Sequence, residues 1–370
     1  MQHRARATRR SGPWLLLALV VLTAVNVGVW SSRWVHDGVG HPAAAPATRT
    51  TTPTGAPSGT PSPTGTVATR PDGIPAAEAP TRVTPAAQDL ATTWAAPVSM
   101  PRVGRLLRVA VPGTVSRFHA RAALLYLPPA ALTADPPHLP VVELMSGQSV
   151  GAGPDDLARD TGGRLEEILD AFATLHRGLA PIVVVPDQLG PQSVNTLCVD
   201  GPRGNSRTYI TEDVPEWIRT HLRVQSAATA WTVAGFSQGG TCAIQFGAGL
   251  PDVFGNVIDV SGETGPSLGT VRQTIQDGFA GNAAAYAAAQ PAALMAAHAP
   301  YRDTNAFFTA ASADHQYGPD MLPQAARARA AGMHVTTWVI PHATHSWPMA
   351  RAALAAGFEW LSPLVGLTPR

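Results

Sequence analysis

The fold turns on one stretch: Ala230-Trp231-Thr232-Val233-Ala234-Gly235-Phe236-Ser237-Gln238-Gly239-Gly240-Thr241-Cys242-Ala243-Ile244. Residues 230–234 predict a buried strand and residues 238–249 a helix. Between them Gly235-Phe236-Ser237-Gln238-Gly239 matches G-x-S-x-G. The pentapeptide alone is a weak signal. Its flanks supply the strand–turn–helix context that a nucleophile elbow requires. Such a turn is strained, and side chains in place of its glycines would collide with the adjoining strand and helix. Ser237 then sits at a helix N-terminus, where free N–H groups and the dipole favour developing negative charge. The competing reading is a Gly-rich turn that binds an anion or merely closes a loop.

A reactive serine needs a base within hydrogen-bond reach. After an elbow of this type the acid and then the base follow in chain order. The chain has 12 His, so position must sort them. Pro341-His342-Ala343-Thr344-His345-Ser346-Trp347 lies between a predicted strand, 334–340, and a predicted helix, 348–361. That is the carboxyl edge of a parallel sheet, where sites gather. His345 is the expected base and His342 competes from the same loop. The acid should follow the preceding strand, 306–311. Asp314 is the candidate, with Asp320 and Glu263 in reserve. The bland alternative for each is a capping or solvated carboxylate. The oxyanion hole should take one N–H from Gln238 and one from the loop after strand 141–145. In that loop, Ser146-Gly147-Gln148, the Gln148 N–H is the expected donor.

Further out, short apolar runs alternate with helical spacing. Strands are predicted at 106–111, 122–127, 141–145, 181–185, 230–234, 256–260, 306–311 and 334–340. The first two read as a hairpin or adjacent strands. Helices are predicted at 155–176, 212–222, 238–249, 321–331 and 348–361, and across the Ala-rich 269–299, broken at Pro291. This alternation predicts an α/β fold: a mainly parallel sheet with helices on both faces. Loop 186–209 and region 269–299 are expected to shape the pocket.

The first hundred residues read differently. Residues 1–10 carry Arg4, Arg6, Arg9 and Arg10 and no acid. Residues 11–32 carry no charge, and as a helix would span roughly 33 Å, enough for a bilayer core of about 30 Å. Trp14, Trp30 and Trp34 mark its ends, and the arginines predict an N-terminus inside. The expectation is a single-pass signal anchor with the rest extracytoplasmic, or secreted if the segment is cleaved. Residues 33–101 are rich in Thr, Pro and Ala and predict a disordered linker. The catalytic domain is then expected over 102–365.

The 370 residues include 26 basic side chains, all Arg, against 25 acids. With no Lys, a Schiff-base lysine and a P-loop lysine are excluded. A net charge of +1 gives no electrostatic case for nucleic acid. Two cysteines cannot form a Cys-rich zinc site. Cys198, in loop 186–209, and Cys242, in the elbow helix, can be neighbours in a parallel sheet. An exported domain permits a disulfide between them.

The segment around Gly235–Gly240, the Ser312-Ala313-Asp314 turn and His345-Ser346-Trp347 before a C-terminal helix resemble the esterase D branch of α/β-hydrolases. That branch includes secreted actinobacterial mycolyltransferases and feruloyl and acetyl xylan esterases. The resemblance covers roughly residues 102–362. It implies an α/β-hydrolase fold, His345 as base and Trp347 packed beside the site. Two features depart from the family pattern: Ser146-Gly147 stands where His-Gly or Asp-Gly is common, and Ala350-Arg351 where a second Trp is common. The expected activity is ester hydrolysis by Ser237, His345 and Asp314 through an acyl-enzyme, on a small-molecule or cell-envelope ester, with no metal or organic cofactor. An acyltransferase on the same triad, an inactive binding module and, more weakly, a peptidase are the alternatives.

Overall fold

A computed structural model describes residues 86–149 and 151–368. Its main sheet has eight strands. They are β1 (Arg105–Val109), β2 (Ala123–Leu127), β3 (Val141–Met145), β4 (Ile182–Val185), β5 (Trp231–Phe236), β6 (Asn256–Val260), β7 (Asn305–Ala311) and β8 (His334–Ile340). Their order is β1-β2-β4-β3-β5-β6-β7-β8. β2 runs antiparallel to β1 and β4, and every other pairing is parallel. β3, β4, β5 and β6 are buried along their whole length. Their apolar runs are what strands covered on both faces need. β1 and β8 close the two edges with exposed and half-buried positions.

The helices that matter for the site are α1 (Leu165–Leu175), α2 (Val214–His221), α3 (Gln238–Gly249), α4 (Pro291–His298), α5 (Gly318–Ala330) and α6 (Trp347–Leu361). Trp231, Tyr126, Phe254, Phe308 and Phe358 are among the largest fully buried side chains. α6 packs on α1 through Phe358 and Phe172, ring edge to ring face at 6.4 Å.

Several expectations are corrected. The predicted helix 155–176 is two: Asp155–Ala158, then α1. A side chain on Gly162 would strike the Asp156 carbonyl, and Arg164 turns left-handed at φ 50°, so the chain reverses there. Leu157, Leu165, Leu169 and Phe172 are buried, but Leu175 is exposed. The helix predicted at 212–222 starts earlier, as Ser206–Thr208 and a wide turn Tyr209–Asp213 leading into α2. Region 269–299 breaks not only at Pro291 but at 279–282, where Ala280 and Gly281 take positive φ.

The expected linker end also shifts. Within 86–101, Leu90 and Ala91 are buried. The Gln88 N–H donates to Gln225 Oε1 at 2.8 Å, and Trp94 Nε1–H to the Arg177 carbonyl at 3.1 Å. Apolar anchors at Leu90 and Trp94, diluted among Pro and Thr, dock this segment on the domain. Residues 1–10, the predicted span 11–32 and most of the linker lie outside the described residues. Among the described residues no helix is long and apolar enough to cross a membrane.

Candidate active site

Register sets the site. Met145 pairs with Gly235, and Phe236 with Val260, so the loops after β3, β5 and β6 emerge together. The chain leaves β5 at Ser237, which has φ 58° and ψ −120° and caps α3. A serine rarely adopts that conformation, and it persists where surroundings over-determine it. They do: the Ser237 N–H donates to the Val260 carbonyl at 2.8 Å, and its own carbonyl accepts from Thr241 N–H at 3.0 Å. Gly239 lies so close beneath the loop after β3 that a Cβ there would meet the Met145 carbonyl. Glycine is required at that point of contact.

His345 and Asp314 arrive from the loops after β8 and β7. His345 Nε2 is 3.0 Å from Ser237 Oγ. Its Nδ1 is 2.9 Å from Asp314 Oδ2. The other Asp314 oxygen accepts from the Gln316 and Tyr317 N–H groups at 3.1 and 3.0 Å. The Asp314 side chain is 3% exposed and that of His345 23%. The imidazole lies between Phe236, stacked at 4.8 Å, and Tyr317, tilted at 4.6 Å. Trp347 packs against Phe236, tilted at 5.2 Å. The Tyr317 phenol is pushed up by burial and by the charges of Glu263 and Asp314.

The competing residues are elsewhere engaged. His342 is exposed, at φ 57°, and its N–H donates to Ser312 Oγ. Asp320 accepts from the Thr264 N–H at 3.2 Å and ties the loop after β6 to α5. The Glu263 N–H is held by Thr241 Oγ1, and burial with the nearby Asp320 pushes its carboxyl up to about 7. Neither carboxylate is bonded to His345.

Gln238 opens α3, so its N–H precedes the intrahelical hydrogen bonds. The loop after β3 abuts the serine: a Cβ on Gly147 would sit 3.2 Å from Ser237 Cβ. Ser146 and Gly147 are buried and Gln148 is exposed.

Four residues that the motif reading passed over hold this corner. Gln188 Nε2 donates to the Ser146 carbonyl at 2.7 Å and to Gln238 Oε1 at 3.0 Å. Gln238 Nε2 in turn donates to Asn195 Oδ1 at 3.2 Å. The fully buried Asp187 takes a two-pronged ion pair from Arg121, whose guanidinium also donates to the Ala152 carbonyl. Asp187-Gln188 follow β4 at the carboxyl edge of the sheet, and that position was the one available signal. Among the described residues no cluster of three or more His, Cys, Asp or Glu side chains is placed to hold a metal.

Cys198 and Cys242 form a disulfide with Cα atoms 5.6 Å apart, directly behind Gln238. Beside it, α3 and residues 279–294 enclose a cavity of about 330 Å³, lined by Cys198, Gln245, Phe246, Phe279 and Leu294. None of Ser237, His345 or Asp314 lines it. The bridge joins residues 44 apart. A closed loop of that size stabilises by roughly 4 kcal/mol in the chain-entropy treatment. Reduction, or Cys198→Ser with Cys242→Ser, is therefore expected to lower Tm by several degrees in a thermal melt, with an unchanged Tm as the contrary result.

The Esterase family model matches residues 119–361. An uncharacterized protein of Corynebacterium glutamicum is 34% identical over 299 residues, 78% of this chain and 69% of its own. Among solved structures, an S-formylglutathione hydrolase from Agrobacterium tumefaciens superposes with TM-score 0.59 at 16% identity, over 73% of this chain and 99% of that one. A ferulic acid esterase from Anaeromyces mucronatus does so with TM-score 0.54 at 16% identity, over 76% and 97%. With the hydrolase sheet order and a match to about two thirds of its length, the chain belongs to the Esterase family of α/β-hydrolases.

Proposed function

We propose that the protein is a serine carboxylic ester hydrolase using Ser237 as nucleophile, His345 as base and Asp314 as orienting acid. One observation carries the reading: the unbroken line of hydrogen bonds from Ser237 Oγ through the imidazole to the buried Asp314. Ser237 Oγ attacks the ester carbonyl carbon while His345 Nε2 takes its proton. The carbonyl oxygen becomes an oxyanion, held by the N–H groups of Gln238 and Gln148. Each such donor contributes about 2.7–4 kcal/mol to transition-state stabilisation. Collapse expels the alcohol, which takes the proton from His345. Water, deprotonated by the same imidazole, then attacks the acyl-Ser237 ester and releases the carboxylic acid. Asp314 keeps Nδ1 protonated and stabilises the imidazolium.

The uncharged residues 11–32 after a basic start support anchoring in a membrane with the domain outside the cytoplasm. The Cys198–Cys242 disulfide supports the same placement, because such bonds persist in oxidising compartments. The proposed partners are an ester substrate, small or of the cell envelope, and the membrane through residues 11–32, with no nucleic acid.

A fluorescent fluorophosphonate tests the nucleophile. Wild type is expected to label, and Ser237→Ala and His345→Ala to lose labelling while melting normally. Absence of labelling in folded wild type would refute the ester reading.

A further inference from the structure

We propose that a cleft beside the ester site binds an anionic group of the substrate, a carboxylate or a phosphate, through Arg117 and Arg203. The inference rests on the ester reading for the reaction and adds the charge of the molecule that reacts.

The cleft has a volume of about 920 Å³ and is bordered by Arg117, Phe118, His119, Gly190, Arg203 and Asn205. Its lining contains no Asp or Glu. Five arginines elsewhere on the domain pair with acids, Arg108 with Asp155, Arg121 with Asp187, Arg159 with Asp156, Arg164 with Glu167 and Arg223 with Asp135, whereas others, such as Arg105 and Arg302, do not. Arg117 and Arg203 have no carboxylate partner among the described residues. The half-buried Arg203 donates through Nε to the Asn195 carbonyl at 2.6 Å, which fixes the guanidinium and leaves both Nη groups for a ligand. An oriented guanidinium fork suits two-oxygen anions such as carboxylate and phosphate. Unneutralised charge of one sign in a cleft concentrates the opposite charge there.

The cleft shares a loop with the ester site. One wall includes residues from 189–194. Gln188, just before it, donates to Gln238 Oε1, and Asn195, just after it, accepts from Gln238 Nε2. Both ends of the wall are thus clamped to the residue that follows Ser237. An anion seated between Arg117 and Arg203 would belong to the same bound molecule as the ester.

Calorimetric titration of the full chain carrying Ser237→Ala tests binding without turnover. Phenyl phosphate and glutarate are titrated separately, so the tighter one identifies the anion. Binding is expected to weaken about tenfold or more in Arg203→Ala and in Arg117→Ala. Arg117→Ala removes an exposed side chain with no hydrogen bond among the described residues, so it keeps the test open should Arg203→Ala fold poorly. It is also expected to weaken as salt is raised. Binding of neither probe, or binding indifferent to both substitutions, overturns the proposal. Wild-type hydrolysis of 4-nitrophenyl butyrate is followed in parallel. Arginine-dependent binding without any hydrolysis would keep the anion cleft and overturn the ester reading instead.

Discussion

Asp314→Asn is expected to lower kcat for ester hydrolysis by about 10⁴-fold with Tm unchanged, whereas Asp320→Asn should leave kcat in the wild-type range. The size follows from how Asp314 is held. One of its oxygens accepts from two backbone N–H groups, those of Gln316 and Tyr317. The other faces His345 Nδ1 at 2.9 Å. An Asn in this place must keep its carbonyl oxygen on the two N–H donors. Its amide N–H group then points at Nδ1, and two donors cannot share one hydrogen bond. The imidazole is driven to the tautomer with the proton on Nε2, directed at Ser237 Oγ. It can no longer accept the serine proton. Asp320 has no such path to the imidazole, since its oxygen serves the Thr264 N–H on another loop. Steady-state kinetics on a 4-nitrophenyl ester decides the matter. A 10⁴-fold loss in Asp320→Asn with a mild effect in Asp314→Asn would reverse the assignment of the acid.

That Asp314 could be singled out from sequence, and Gln188 could not, has a physical basis. Ser237, Asp314 and His345 each follow a strand in a parallel sheet, and all such strand ends share one edge. Local pattern therefore predicts their convergence without any distance being known. Gln188 also follows a strand, yet its partners are a carbonyl and a side-chain amide. Hydrogen bonds of that kind leave no spacing or residue type to recognise. The same holds for Arg117 and Arg203, which look like solvated charges in the chain. What sets them apart is the acid-free cleft they share, and that is a property of packing.

The strands were legible because their apolar runs end at prolines, glycines and polar turns, as at Pro140-Val141 and Met145-Ser146. Helix ends were less so. In 155–176 the apolar spacing carries on across Gly162-Gly163, and periodicity cannot register that a carbonyl occupies the space a side chain would need. The linker was overextended for the opposite reason. Leu90 and Trp94 are two anchors in a segment whose average composition is that of a solvated chain, and averaging conceals them.

The largest gain in stability should come from Glu143. Glu143→Met is expected to stabilise the domain by about 1–3 kcal/mol at neutral pH. Glu143 lies in the middle of β3, paired in register with Val184 and Val233, and is fully buried. Neither carboxyl oxygen has a hydrogen-bond partner among the described residues. Burial pushes its carboxyl well above the ordinary 4.5, and the pull of Arg219, stacked on Trp231, only partly opposes this. The native state therefore keeps a proton that the unfolded chain releases above about pH 4.5. The folded form binds more protons than the unfolded one in that range, so stability falls as pH rises. This is the reverse of an ion-paired carboxylate. Asp259 and Glu263, both pushed up to about 7, tilt the wild-type profile the same way, so the informative quantity is a difference. The stability gap between Glu143→Met and wild type should widen above pH 4.5, by up to about 1.4 kcal/mol per pH unit, until the native carboxyl ionises. Urea denaturation of both proteins between pH 5 and 8 measures it. A gap that stays level or narrows would mean that Glu143 is charged and paired in the native fold. β3 leads straight into Ser146-Gly147-Gln148, so activity should be followed on the same samples. A stabilised variant with unaltered kcat would make Glu143 a tolerated defect of the core, whereas lost kcat at higher Tm would tie the buried acid to the placement of the oxyanion loop.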